Sequence, residues 1–209
     1  GPPETPATQS QARRHDLRPL ATMPAMGSLY LVRHGQASFG AADYDQLSAL
    51  GHRQGRRLGE YFAARGQRFD AILVGTLRRH RQTLDAILEG MGGAAPEALE
   101  WPGLNEYDSH AVIEAIHPAP LEKPETPEAY RHHFRLLRDG LTQWMAGVVT
   151  PRGMPSYVDF VAGVTGALDH VRTHHHGQSV LVVSSGGPIS TAVGRVLQAP
   201  PETTIELNL

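Results

Sequence analysis

The stretch Leu29-Tyr30-Leu31-Val32-Arg33-His34-Gly35 is an apolar segment of strand length that ends abruptly in a cation, an imidazole and a glycine. Its first four residues are apolar and include a β-branched and an aromatic side chain, which predicts a strand buried near the middle of a sheet. Ligands in open α/β sheets bind at the carboxyl ends of strands, so Arg33 and His34 are expected at a ligand-binding edge. An Arg fork beside an imidazole suits an oxyanion such as phosphate, although three such residues can also form a surface turn.

Four further patterns of strand type set the expected architecture. Residues 70–74 (DAILV) and 179–183 (SVLVV) are short apolar runs typical of buried strands, and residues 98–101 give a weaker signal. Residues 203–207 (TTIEL) alternate as a strand does. Helical patterns separate these strands, which predicts an α/β fold: a three-layer α/β/α sandwich with a mostly parallel central sheet.

Hydroxyl side chains mark the predicted starts of the helices. Ser48, Thr76, Thr126 and Ser156 each precede a helical apolar pattern and are the expected N-caps. Gly66 is placed to end the first of these helices. The face of that helix expected against the sheet comprises Leu50, Gln54, Leu58, Tyr61, Phe62 and Arg65.

Composition divides the chain into an arm and one domain. Residues 1–26 are rich in Pro, Ala, Thr and Gln without a sustained apolar period, which predicts a disordered or loosely docked arm. Residues 27–209 are expected to form a single domain. Within it, the proline-broken segment at about 107–155 contains one well-marked helix and is interpreted as a lid inserted over the sheet edge.

The charge balance and the absence of cysteine narrow the function classes. The 209 residues carry a formal net charge of -2, which provides no broad basic surface for nucleic acid and no polybasic membrane patch. Without cysteine, the chain has no disulfide, no thiolate zinc site and no cysteine nucleophile. No apolar run reaches the ~18 residues that span a bilayer, so the expected location is cytoplasmic. The sequence leaves the oligomeric state open.

Two more segments carry chemistry at predicted strand ends. Residues 75–83 (GTLRRHRQT) follow a buried strand and open a helix, where unpaired N–H groups and the helix dipole attract anions, and Arg79 in the first turn can reach that edge. Residues 104–108 (LNEYD) place Glu106 and Asp108 after a short strand. A phosphate nearby would raise the pKa of such a carboxyl, which could then donate a proton to a leaving oxygen. Asp108 is more simply a helix cap.

Together these segments resemble the histidine phosphatase superfamily, the phosphoglycerate mutase-like enzymes with an Arg-His-Gly motif. The resemblance runs from about Ser28 to the last residue, and each part is weak alone but specific in its order and spacing. The matching parts are Leu31–Gly35, Leu47–Gly51 with Gln54, Leu77 with Arg79, Gln82 and Thr83, Leu104–Glu106, and Val182–Gly187.

The resemblance implies a role for each matched residue. His34 would accept the phosphoryl group as phosphohistidine, Arg33 and Arg79 would bind its oxygens, and Glu106 would protonate the leaving alcohol. No metal or other cofactor is implied, because the two arginines supply the positive charge. Since His34 must attack as a neutral base, its other nitrogen is expected to donate to a backbone carbonyl. Further phosphate contacts are expected from Gln36, Ser185 and Gly186.

Ser185 is a departure from the family pattern, which has a second pocket histidine in a Ser-His-Gly-Gly context. A serine hydroxyl donates a hydrogen bond but brings no charge, and losing a donor from such a site typically costs ~10²–10³ in rate. Three interpretations follow: slower activity with Ser185 and the adjacent N–H groups as donors, compensation by another histidine with His110 the best placed in sequence, or a phosphate-binding pseudoenzyme. A serine-hydrolase role for Ser185 is disfavoured because the nucleophile elbow needs glycine at the position held by Val183.

The function expected from the sequence is therefore a metal-independent phosphatase acting on a small phosphorylated substrate, without nucleic-acid or membrane partners. The alternatives are a catalytically weak or inactive phosphate-binding protein and a phosphoglycerate-type mutase. The sequence does not identify the physiological substrate.

Overall fold

The computed structural model describes Gly1 and residues 26–38, 44–121 and 125–209. The arm predicted at 1–26 therefore lies almost entirely outside the described residues. None of the helices in the described part of the chain is both long and apolar enough to cross a bilayer. In chain order the elements are β1 (Ser28–Arg33), α1 (Ala49–Ala64), β2 (Ala71–Val74), α2 (Arg78–Met91), β3 (Ala98–Glu100), a 3₁₀ turn (Pro102–Leu104), α3 (Ser109–Glu114), α4 (Pro127–Met145), α5 (Tyr157–His174), β4 (Ser179–Ser184), α6 (Gly186–Leu197) and α7 (Pro201–Asn208).

The central sheet has the order β1-β4-β2-β3, and every strand pair in it is parallel. Arg33 pairs with Ser184, and Val74 pairs with both Val183 and Glu100, so the carboxyl ends of the four strands are aligned. The predicted α/β sandwich is confirmed. Its loops after β1, β2, β3 and β4 meet at one edge, which carries the chemical groups singled out in the sequence.

The predicted strand at 203–207 is wrong, because these residues lie in α7. Pro201 occupies the first turn of α7, where its fixed φ and missing N–H suit a helix start. Thr204 and Ile205 are buried, and Ile205 belongs to a core cluster with residues of α3, α4, α5 and α6. Five residues of alternating pattern cannot separate a strand from a short amphipathic helix, and tertiary packing decides here.

The buried face of α1 also differs from the expected one. Leu50 and Tyr61 are exposed, whereas Gly51, Gly55, Gly59 and Phe62 are buried. A Cβ atom at Gly59 would overlap a backbone carbonyl oxygen of α2, so the missing side chains let the two helices approach closely. Ser48 is the N-cap as predicted, since its hydroxyl accepts the N–H of the glycine three residues on.

The segment at 107–155 is anchored to the core through the second half of α4. Leu137, Leu141 and Trp144 are buried in the cluster that contains residues of α3 and α5, whereas Tyr130 and Phe134 in the first half are exposed. The predicted caps of α4 and α5 are present, because Thr126 and Ser156 each accept a backbone N–H with their hydroxyls. The lid interpretation of this segment stays a prediction.

Candidate active site

His34 lies directly after β1, and its backbone and side chain are both fixed. Its N–H donates to the Ser184 carbonyl of the adjacent strand at 2.9 Å. Its Nδ1 lies 2.7 Å from the Gly35 carbonyl, which can only accept, so Nδ1 carries the proton and Nε2 has the lone pair. The backbone carbonyl expected to hold this ring is therefore that of Gly35. Arg79 Nε donates toward His34 Nε2 at 3.3 Å.

The surroundings of His34 favour the neutral imidazole. Burial lowers its pKa most, the Arg79 and Arg33 guanidinium groups lower it further, and the hydrogen bond to Gly35 and the charge of Asp45 oppose them. The net effect is a pKa below the ordinary histidine value. Near neutral pH the ring accordingly presents an unprotonated nitrogen, the form that can attack phosphorus.

Asp45 fixes the Arg79 guanidinium and the start of α2. Its carboxylate accepts from Arg79 Nη1 at 2.8 Å and from the backbone N–H groups of Arg78 and Arg79 at 2.9 and 3.4 Å. Burial alone would raise the pKa of Asp45, but these hydrogen bonds and the guanidinium charge hold it below its usual range. Thr76, the predicted cap of α2, is not its N-cap: Leu77 is, and it makes no side-chain bond to the helix. Asp45 supplies the acceptor from a distant loop.

The loop after β1 is tied to α2 and α1 by residues of the motif. Gly35 N–H donates to the Thr83 hydroxyl at 3.1 Å, and this hydroxyl donates to the Arg79 carbonyl at 2.7 Å. Gln36, expected to bind phosphate, is engaged with the start of α1: its side-chain oxygen accepts from Ser48 at 2.9 Å. These bonds fix the loop that carries His34 relative to the helix that carries Arg79.

Glu106 lies at the N-terminus of α6. Both of its carboxyl oxygens are 3.1 Å from the Gly187 nitrogen, whose N–H they accept. Burial raises the pKa of Glu106 despite the lowering effect of this hydrogen bond, that from Tyr107 N–H, and the charges of Arg79 and Arg33. The predicted increase in pKa thus has a different source from the one expected, because burial produces it without a neighbouring phosphate.

Arg33 and Gly186 meet at the start of α6. A Cβ atom at Gly186 would come within 3.4 Å of the Arg33 guanidinium carbon. Arg33 is exposed and makes no ion pair with any residue in the described ranges. Its guanidinium is therefore available to an anion, whereas the guanidinium of Arg79 is held by a carboxylate and available through its remaining N–H groups.

The histidine that the structure places beside His34 is His80, not His110. His80 is fully buried on α2, with its ring centroid 5.8 Å from that of His34. Its Nε2 lies 2.6 Å from Ser185 Oγ. Burial, and then the charges of Arg79 and His34, lower the pKa of His80 to about 3. His110 is exposed on α3, and no ring contact joins it to His34 among the residues described.

His80 could have been found from helical spacing. His80, Leu84 and Ile87 are all buried and lie at positions i, i+4 and i+7 of α2, which share one face. Asp45 left no comparable signal, because its partners on α2 are 33 and 34 residues away in sequence.

The family model described as histidine phosphatase superfamily (branch 1) matches residues 29–209. The chain therefore belongs to the histidine phosphatase superfamily. A metal-independent phosphoserine phosphatase of Arabidopsis thaliana is 27% identical over 177 residues, which are 82% of this chain and 69% of that protein. A 2,3-bisphosphoglycerate-dependent phosphoglycerate mutase of Methylorubrum populi is 35% identical over 86 residues. This second match spans 38% of this chain and only 41% of the mutase.

Solved structures share the fold. A phosphoserine phosphatase of Entamoeba histolytica in complex with 3-phosphoglyceric acid superimposes with a TM-score of 0.57 at 19% identity. The superposition covers 87% of this chain and 85% of that chain. At this level of identity the likeness establishes a common architecture, in agreement with the phosphoglycerate mutase-like sandwich predicted from the sequence.

Proposed function

We propose that this chain is a metal-independent phosphatase that hydrolyses a small phosphomonoester through a phosphohistidine on His34. The observation that carries the proposal is the orientation of the His34 ring. Its Nδ1 is bound to the Gly35 carbonyl, and its Nε2 lone pair faces Arg79 at 3.3 Å. A cytoplasmic location for this reaction stays a prediction.

In the first step, the Nε2 lone pair of His34 attacks phosphorus and the ester P–O bond breaks. Arg33 and Arg79 bind the phosphoryl oxygens, where their charge stabilises the transition state. Glu106, whose pKa is raised by burial, is the acid of this step: in its protonated form it transfers its proton to the leaving alkoxide oxygen. The products are a neutral alcohol, phosphohistidine and the Glu106 carboxylate.

In the second step, water attacks the same phosphorus and the P–N bond breaks. Glu106 now acts as the base and takes a proton from this water, as microscopic reversibility requires. The bonding electrons return to His34 Nε2, and Nδ1 keeps its proton and its bond to Gly35. Inorganic phosphate leaves a site that is ready for another turnover.

The direct test is hydrolysis of a generic aryl phosphate in the presence of EDTA. The native chain is expected to release phosphate well above background, and His34→Ala is expected to lose this activity. Glu106→Gln tests the acid: its defect should be large with a poor alcohol leaving group and small with a good phenolate. Equal rates for the native chain and His34→Ala would overturn the proposal in favour of a phosphate-binding protein.

A mutase is the second candidate function, favoured by the partial match to phosphoglycerate mutases. Phosphorylated substrates with a second hydroxyl separate the two activities. A phosphatase liberates inorganic phosphate into solution, whereas a mutase returns the phosphoryl group to the other hydroxyl.

A further inference from the structure

His80 occupies a position next to the reacting histidine but has no part in the steps above. It is fully buried, its ring lies 5.8 Å from that of His34, and its Nε2 is 2.6 Å from Ser185 Oγ. Ser185 is equally buried and directly follows β4, at the edge where the strand ends meet. The pair therefore joins α2 to the start of α6 beside the candidate nucleophile.

The hydroxyl of Ser185 does not cap the helix that it precedes. Ser185 is the N-cap residue of α6, and a serine there usually accepts an N–H of the first turn. In this structure it makes no such bond, because Glu106 accepts the Gly187 N–H instead. The Ser185 hydroxyl is thus not used by the first turn of α6 and is paired with His80.

The chain also provides the space that His80 needs. A Cβ atom at Gly75 would overlap His80 Nδ1, so any larger residue at position 75 would displace the imidazole. The loop that carries Gly75 is held in turn by Asn105, which accepts from Thr76 N–H at 2.7 Å and donates to the Thr76 hydroxyl at 2.6 Å. The placement of His80 therefore depends on a glycine and on a pair of loop hydrogen bonds.

The partners of His80 decide which of its nitrogens carries the proton. Nδ1 is buried and has no hydrogen-bond partner in the described part of the chain. A proton on Nδ1 would be an unpaired buried N–H, which is rarer in folded proteins than an unpaired acceptor. The proton consequently lies on Nε2 and is donated to Ser185 Oγ, which leaves the hydroxyl proton of Ser185 free.

We propose that His80 is a positioning residue that donates its Nε2–H to Ser185 Oγ and thereby directs the Ser185 hydroxyl proton at the phosphoryl group transferred to His34. The proposal rests on the proposed phosphatase function. A hydroxyl that accepts a hydrogen bond becomes a stronger donor, and a donor fixed in advance stabilises the charge that develops on phosphoryl oxygens. His80 and Ser185 together would supply the hydrogen-bond donor that the family pattern places in a single histidine at position 185.

The test compares His80→Gln with His80→Met, since these side chains are similar in length and volume but only glutamine can donate to Ser185. Aryl phosphate turnover, inhibition by orthovanadate and urea unfolding are measured for both. His80→Gln should keep turnover within a few-fold of the native chain, and His80→Met should lose about 10-fold or more in kcat and in vanadate affinity. KM should change little. Equal turnover of the two variants at equal stability would overturn the proposal.

Ser185→Ala and Ser185→Thr form the second pair. Ser185→Ala should lower kcat by about 10²–10³, and Ser185→Thr should restore part of it because it keeps a hydroxyl. Adding His80→Met to Ser185→Ala should cause no further loss, since His80 acts through Ser185.

Unchanged turnover in Ser185→Ala would overturn the proposal by itself, including in the event that His80→Met fails to fold. Failure of the inference is distinguishable from failure of the proposed function. In the first case His34→Ala still abolishes turnover while the His80 and Ser185 variants do not. In the second case the native chain has no activity for any variant to lose.

Discussion

The buried imidazole of His80 should make the protein acid-sensitive in a measurable way. The pKa of His80 is about 3 in the folded chain, against 6.5 for a histidine in an unfolded chain. Between these values the unfolded chain binds a proton that the folded chain does not, so the free energy of unfolding rises with pH in this window. The contribution of His80 is complete above pH 6.5 and is lost progressively as the pH falls toward about 3.

The size of this effect follows from the two pKa values. At pH 5 an unfolded imidazole is largely protonated while that of His80 stays neutral, which reduces the free energy of unfolding by about 2 kcal/mol relative to neutral pH. Other titrating groups, including His34 and Glu106, are common to the native chain and to His80→Gln.

Urea unfolding followed by tryptophan fluorescence at pH 7.5 and pH 5 measures the effect, since Trp144 is buried. The native chain should lose about 2 kcal/mol more than His80→Gln between the two pH values. If both proteins lose the same amount, His80 titrates normally in the folded state and the burial argument for it is wrong.

Three further predictions concern the site and its frame. With increasing pH, kcat/KM should rise as His34 loses its proton, at a pH below the ordinary histidine pKa. It should fall again as Glu106 loses its proton, at a pH above the ordinary glutamate pKa, and Glu106→Gln should remove this falling limb. Asp45→Ala should lower kcat/KM by about 10-fold or more by releasing its guanidinium partner, with a stability cost of about 1 kcal/mol from the lost cap, and an unchanged kcat/KM would contradict this. Gly59→Ala should lower the free energy of unfolding by about 1–3 kcal/mol because its Cβ would overlap an α2 carbonyl oxygen, whereas the control Gly166→Ala, whose Cβ would meet only a ring carbon of Trp101 at 3.3 Å, should lower it less in the same urea assay.

The features that depend on neighbouring residues could be predicted from the sequence. The β1 strand and its abrupt end at His34 follow from an apolar run closed by a glycine, and Thr126 and Ser156 cap helices as their side chains suggest. The parallel order of these elements brings Arg33 and His34 to a strand-end edge without any knowledge of distant contacts.

The remaining features depend on contacts between distant parts of the chain. The glycine face of α1 is buried only because α2 approaches it closely, and an apolar-periodicity argument favours leucine and tyrosine instead. Residues 203–207 form a helix because Ile205 has a core cluster to enter. His80 lies beside His34 because Gly75 has no side chain to displace it and because its ring is hydrogen-bonded to the hydroxyl of Ser185, 105 residues away in sequence.

Phosphoryl transfer through His34 would leave the phosphoryl group on that side chain for part of each turnover. Brief reaction of the native chain with an aryl phosphate, quenched in base and analysed by peptide mass spectrometry, would trap this intermediate. One phosphoryl group is expected on the peptide containing His34, stable in base and lost in acid, and absent from His34→Ala. An unmodified His34 in a chain that turns over, or an acid-stable phosphoester on Ser185, would contradict it.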